Sequence, residues 1–166
     1  MADTCSFDIT TGCDLQEVDN AVNQALKEMA QRYDFRGVTY EVTLKKPDKK
    51  IFLHAPDEFK LKAIWDVLLS KMVRRNVPIK NLKEEEIQAA GGNTVKREIT
   101  LVQGIETEIA KKIVKYIKES NFKKTQASIQ SEQVRVVSPS RDTLQEVMTA
   151  LRGQDFGIEL QFGNYR

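Results

Sequence analysis

Twice along its length the chain runs through the same succession of patterns. An alternating segment comes first, then one apolar at every third or fourth residue, then a pair of short alternating segments, then another of the three-and-four type. Period two places every second side chain on one face of a strand, and period 3.6 lines one face of a helix. In the first pass, residues 6–9 form a strand that Gly12 ends. Asp14 then caps a helix, with Glu17 three residues on in capping-box spacing, and Leu15, Val18, Val22, Leu26 and Met29 form its buried stripe. Residues 38–44 and 51–55 alternate on either side of the polar turn KKPDKK, which makes a hairpin. A second helix starts after Pro56 and Asp57 and runs to about Asn76, before Pro78.

The succession starts again at 94–102. Gly104 leads into a helix with Ile105, Ile109, Ile113 and Ile117, and a tight hairpin at 125–130 and 133–137 turns on Ser131 and Glu132. The last helix carries Leu144, Val147, Met148 and Leu151. Gly153 and Gly157 close it, and a strand spans 158–165. Strand, helix, hairpin, helix and strand bury most simply as an antiparallel sheet with helices on one face. The expectation is an α+β chain of two ferredoxin-like α/β sandwich domains, at 1–80 and 94–166. Residues 81–93 hold Glu84, Glu85, Glu86 and the pair Gly91–Gly92, and read as the linker. The first strand can pair with either half's sheet.

The second helix is apolar on two sides. Phe59, Ala63, Val67 and Val73 face one way, and Leu61, Trp65, Leu68 and Met72 the other. Two apolar sides predict burial on two sides, against the other domain or a second copy.

Composition narrows the function classes. Apolar residues make up 40% and charged residues 30%, with 26 Lys+Arg against 24 Asp+Glu for a net charge of +2. Residues 1–90 carry a net −1 and residues 91–166 a net +3, which permits an anionic partner for the second half without requiring one. No stretch approaches the roughly 18 apolar residues of a membrane span, and MADTCSFDIT lacks the basic and apolar regions of a secretory signal, so the expected location is the cytoplasm. Cys5 and Cys13 read as reduced thiols, and His54 is the only histidine. With no phosphate loop, no GxGxxG and no HExxH, the chain offers no catalytic motif, no metal set and no cofactor signature. It reads as a non-enzyme.

Binding is the better prospect. The sheet face away from the helices presents, by parity, Lys96, Glu98, Thr100, Gln126, Ser128, Gln130, Arg135, Gln161 and Tyr165. Such a surface suits phosphates and base edges, or is an ordinary solvated face. RNA-recognition modules of this topology stack bases on aromatics of their first and third strands. Here Phe52 stands alone on its hairpin beside His54, opposite Ser6 and Asp8 on the opening strand, so that pattern is missing. Lys111, Lys115 and Lys118, continued by Lys123 and Lys124, line one helix face and suit a phosphate backbone or plain solvent. Gly104 suits an anion or a helix cap. Arg32, Tyr33, Asp34, Phe35 and Arg36 mix cations with aromatics, as do Tyr165 and Arg166.

Several segments in register resemble the bacterial YajQ family: SFDI, DLQEVDNAVNQA, RYDFRG, LVQGIETEIAKKIVKYIK and RDTLQEVMTALRGQDFGIELQFGNYR. The resemblance covers nearly the whole chain, while residues 1–5 and Cys13 look peripheral to it. It implies two ferredoxin-like domains, a cytoplasmic location and nucleotide binding. Members are linked with RNA or guanine nucleotides, and in some bacteria with cyclic di-GMP acting on a transcription-regulator partner. No catalytic or ligand-contact residues come with it. Since guanidinium groups suit guanine edges and phosphates, the candidate nucleotide-binding residues are Arg36, Lys96, Arg97, Arg135 and Arg166. Arg97 shares parity with Val95, Ile99 and Leu101 and so sits at the core edge. The expected function is a non-enzymatic effector of GTP or cyclic di-GMP, as monomer or weak dimer. The alternatives are an RNA-binding module, or a protein adaptor working through the Leu61–Trp65–Leu68–Met72 stripe.

Overall fold

The computed structural model describes residues 4–166. Residues 1–3, part of the stretch read as lacking a signal, lie outside the described residues. The chain divides into two units. The strand up to Thr11 joins Gly104–Arg166, and Gly12–Gln103 forms the other. We call these the outer and the inserted unit.

The outer unit holds β1 (Cys5–Thr10), α3 (Thr107–Glu119), β7 (Gln126–Gln130), β8 (Gln133–Ser138), α4 (Arg141–Arg152) and β9 (Gln161–Gly163). Its sheet runs β7-β8-β1-β9, antiparallel throughout. This is a complete ferredoxin-like βαββαβ fold whose chain is interrupted after its first strand. Alternation sorts the sheet. Phe7, Ile9, Val134 and Val136 are buried on the helix side with Ile113, Ile117, Leu144 and Val147, while Ser6, Asp8 and Arg135 share the opposite face. Ser140 caps α4 by accepting a hydrogen bond from the Thr143 amide at 3.3 Å. The closing strand is shorter than the expected 158–165. Its pairing resumes at the end of the chain, where Ser6 and Arg166 exchange both backbone hydrogen bonds at 3.0 Å.

The inserted unit holds α1 (Leu15–Gln31), β2 (Glu41–Lys45), β3 (Lys50–Ala55), α2 (Glu58–Arg74), β4 (Leu82–Glu84), β5 (Gln88–Ala90) and β6 (Thr94–Leu101). Asp14 caps α1 through the Gln16 and Glu17 amides, and Asp57 caps α2 through the Lys60 amide at 2.8 Å. The sheet order is β2-β3-β6-β4, with β5 also on β6. The strand expected to open the second domain therefore pairs with β3 instead, Phe52 facing Glu98 and His54 facing Lys96. In a ferredoxin-like sheet the place between the third and last strands belongs to the first. Here β1 lies in the outer unit's sheet, and β6 fills that place from the far end of the unit. The segment 81–93, expected to be a linker, accordingly carries β4 and β5 within this sheet.

The two-sided reading of α2 requires correction. Leu61, Ile64, Trp65, Val67, Leu68 and Met72 enter one core together with Val18, Val22 and Met29 of α1, but Phe59 and Val73 are 78% and 54% exposed. Ile64 lies between the two stripes and merges them into one wide buried face. The adaptor stripe is thus core and offers no surface.

Candidate functional site

Arg135 and Asp8 face each other across β8 and β1. The guanidinium donates to the carboxylate at 2.9 Å and 3.4 Å, and the Asn164 amide donates to the same group at 2.7 Å. Asp8 is only 4% exposed. The Arg135 hydrogen bond holds its carboxyl below the usual value, assisted by Asn164 and by the nearby charge of Arg166, against the opposing effect of burial. Arg135 is therefore already occupied by an internal anion.

Arg166 stands differently. It lines a cavity of about 280 Å³ with Arg141, Gln145, Tyr165, Cys5, Ser6, Leu144 and Met148, all of the outer unit. Local sequence explains the arrangement. The Ser6–Arg166 backbone pairing anchors the chain end beside β1. Ser140 starts α4 so that Arg141 occupies its first position, and Leu144 and Met148, four residues apart, form an apolar wall. A cation at a helix N-terminus opposes the helix dipole, so Arg141 adds to a potential that is already positive. Asp142 lies in the same turn but does not line the cavity. Tyr165 is 61% exposed, with its hydroxyl 3.4 Å from the Phe162 carbonyl. Neither Arg141 nor Arg166 forms a side-chain ion pair among the described residues, although the charge of Arg166 is felt at Asp8, and no Asp or Glu side chain lines the cavity. Two guanidinium forks, an aromatic ring and a side-chain amide around an apolar wall suit a planar, anionic ligand.

In the inserted unit, Lys96 and Arg97 are neighbours on β6 and so leave its two faces. Arg97 is opposite Leu53 on the core side, ion-paired to Glu84 at 3.1 Å, with its buried Nε unpartnered. Lys96 and Arg97 nevertheless both border a shallow pocket of about 190 Å³ with Lys45, Phe52, Glu85, Glu86, Gln88 and Glu98, where three carboxylates balance the three cations. The face also carries a pair the sequence reading undervalued. Phe52 and His54 lie parallel, 10° apart with centroids at 6.5 Å, and the Lys45 ammonium is 4.9 Å from the Phe52 centroid. The His54 Nε2 is 2.8 Å from the Thr94 hydroxyl, which fixes the ring. Arg36 is exposed on the loop after α1, its guanidinium 5.8 Å from the Tyr33 centroid.

The five candidate residues thus do not form one site. Arg36, Lys96 and Arg97 belong to the inserted unit, and Arg135 and Arg166 to the outer one. Sequence reasoning missed Arg141, which it did not single out. An arginine at a first helical position, against the dipole, is the signal that finds it. Gly104 is not an anion site: α3 begins three residues later, and the Glu132 carboxylate lies 2.6 Å from where a Gly104 Cβ would stand. Among the described residues no group of three or more His, Cys, Asp and Glu is placed to hold a metal, and no helix is long and apolar enough to cross a membrane.

The family described as nucleotide-binding protein YajQ-like matches residues 5–166. A protein of Solibacter usitatus named nucleotide-binding protein is 52% identical over 161 residues, covering 97% of this chain and 96% of that protein. Similarly named proteins of Koribacter versatilis and Bacillus cereus are 52% and 51% identical, and each alignment covers 100% of this chain. They are covered over 99% and 100% of their own lengths.

Proposed function

Because the chain belongs to the family of YajQ-like nucleotide-binding proteins, we propose that it binds a guanine nucleotide in the Arg141–Arg166 cavity and acts as a non-enzymatic effector. The observation that carries this reading is the pair of guanidinium groups without a side-chain ion pair beside Tyr165, with no Asp or Glu side chain among the lining residues. One fork takes a phosphate in bidentate fashion, and the other takes O6 and N7 of guanine, the base edge that arginine fits best. Tyr165 supplies a stacking surface, and the Gln145 amide reaches further base or ribose polar atoms. A volume near the lower end of ligand pockets admits one base with its phosphate and leaves the rest of a dinucleotide such as cyclic di-GMP outside. The effector works in the cytoplasm and passes its state to a protein partner, a transcription regulator in the sharpest form of the reading.

Isothermal titration with cyclic di-GMP, GTP and ATP at physiological salt tests it. The expected result is saturable one-to-one binding of a guanine ligand below about 10 μM, or roughly 7 kcal/mol. Arg141→Glu and Arg166→Glu should each weaken binding at least about tenfold, the loss of one charge-assisted contact. Flat traces for all three ligands overturn the reading.

The Phe52–His54 pair favours a second reading, single-stranded RNA on the inserted unit's sheet, with Lys45 and Lys96 at the phosphates. Stacking of this kind contributes about 1–3 kcal/mol per base. Phe52→Ala should then reduce RNA affinity while leaving nucleotide titrations unchanged.

A further inference from the structure

Of the five described strands with an open edge, β7 is the one without defences, since the uncharged β5 is only three residues long. β9 and β4 are three residues long, β4 includes Lys83 and Glu84, and β2 carries Glu41 and Lys45. Such brevity and charge are how proteins keep a sheet edge from recruiting another strand. β7 reads Gln126-Ala127-Ser128-Ile129-Gln130, five residues with neither charge nor proline. It pairs only with β8, and no described strand covers its outer edge. Four of its five residues are exposed, including Ile129 at 39%.

Beside this edge lies a cavity of about 450 Å³ between α3 and β7. Val114 and Ile117 of α3, Phe122 of the connection and Ala127 of β7 give it apolar walls, and Lys118 stands at its side. Lys111 continues the basic face of α3, with Lys115 ion-paired to Glu119 at 3.9 Å, and Lys123 and Lys124 stand just before the strand. No carboxylate lines the cavity. A free strand edge running alongside a helix-walled groove is the geometry by which a peptide adds a strand, its backbone bonding to the edge and alternate side chains entering pockets.

We infer that the β7 edge with the α3 groove is a docking site for an extended acidic peptide segment of a partner protein. One large apolar side chain fills the cavity, and flanking Asp or Glu residues meet the lysines. The charge of the groove selects this occupant over a second copy of the chain, whose own β7 would bring the same lysines to the interface. The site is separate from the nucleotide cavity, so the two stand or fall independently.

The experiment pans a library of random ten-residue peptides on the full chain. It follows the best binder, synthesised with fluorescein, by anisotropy and by amide shifts of the labelled protein. The expected result is one-to-one binding by peptides sharing one large apolar residue between Asp or Glu. Shifts and added exchange protection should concentrate on Gln126–Gln130. Lys118→Glu should weaken binding at least tenfold, and the exposed Lys62→Glu of α2 should leave it unchanged. Binders without acidic residues, shifts elsewhere, or insensitivity to Lys118→Glu overturn the inference. So does a twelve-nucleotide single-stranded RNA that shifts the same amides when the peptide does not, or concentration-dependent dimerisation that protects β7 without peptide.

Discussion

Asp8 and Arg135, 127 residues apart in sequence, meet across β1 and β8 through hydrogen bonds of 2.9 Å and 3.4 Å. The contact ties the chain's opening strand to a hairpin that is made only after the whole inserted unit. Its pH dependence has a definite sign. The folded-state carboxyl titrates below its ordinary 3.8. Above that value Asp8 is ionised in folded and unfolded chains alike, and the stabilisation is complete. As pH falls through it the unfolded chain takes up the proton first, and the stabilisation is gone once the folded-state value has been passed. Urea midpoints should therefore fall as pH drops below about 5 and through the ordinary carboxylate range, and Asp8→Asn should flatten that fall. At neutral pH the same substitution should cost about 1–3 kcal/mol, since a buried charged hydrogen bond is lost. A variant with an unchanged acid profile would show that other carboxylates set it.

Trp65 is core, and its truncation should behave as core. Trp65→Ala removes a large side chain packed with Leu61, Leu68 and Met72, at a cost of about 3–5 kcal/mol in chemical unfolding. Phe59→Ser, on the same helix but exposed, should stay within about 0.5 kcal/mol of the parent. A Trp65→Ala protein of parental stability with altered oligomeric state would reinstate the surface reading of that stripe.

Element types were legible in the sequence because caps and periodicity are local. Asp14, Asp57 and Ser140 announce helices from within four residues, and alternation gives the longer strands their buried faces, whereas β4 and β5, three residues each, are too short to alternate and read as a linker. Partner choice was not legible. The strand Thr94–Leu101 buries Ile99 and Leu101 in whichever antiparallel sheet it joins, so its pattern reads the same beside β3 as beside β8. The order of elements in each half made the alternative look natural. The candidate site suffered for a related reason. Parity ranked Arg135 as an open cation, yet its register with Asp8 makes it an internal pair. Arg141 and Arg166 line one cavity because the Ser6 backbone holds the chain end beside β1.

The Phe52–His54 pair makes a prediction at the level of dynamics and binding. Thr94 fixes His54 by a 2.8 Å contact and itself donates to the Gly91 carbonyl at 2.7 Å. Thr94→Val removes that anchor while keeping the β-branched shape on β6. The His54 ring resonances should broaden or shift, and the thermal midpoint should drop by no more than a few degrees, matching one lost hydrogen bond of about 1 kcal/mol. Unchanged ring resonances would place the restraint in the Phe52 stack alone.

The two thiols report on the Arg141–Arg166 cavity without any change to its cations. Burial pushes the Cys13 thiol up to about 11, so at neutral pH almost none of it is thiolate, the form that reacts. Cys5 is less buried and lines the cavity beside Arg166. Iodoacetamide at pH 8 should therefore modify Cys5 first and leave Cys13 untouched until the chain unfolds, as peptide mass mapping would show. A nucleotide bound as proposed would cover the cavity and should slow Cys5 modification several-fold, saturating at the concentration that saturates the titration. Protection of Cys5 that persists in Arg141→Glu at the same ligand concentration would mean that the ligand binds elsewhere and reaches Cys5 indirectly. Equal labelling of both thiols in the native chain would show that the Cys13 region opens on the timescale of the reaction.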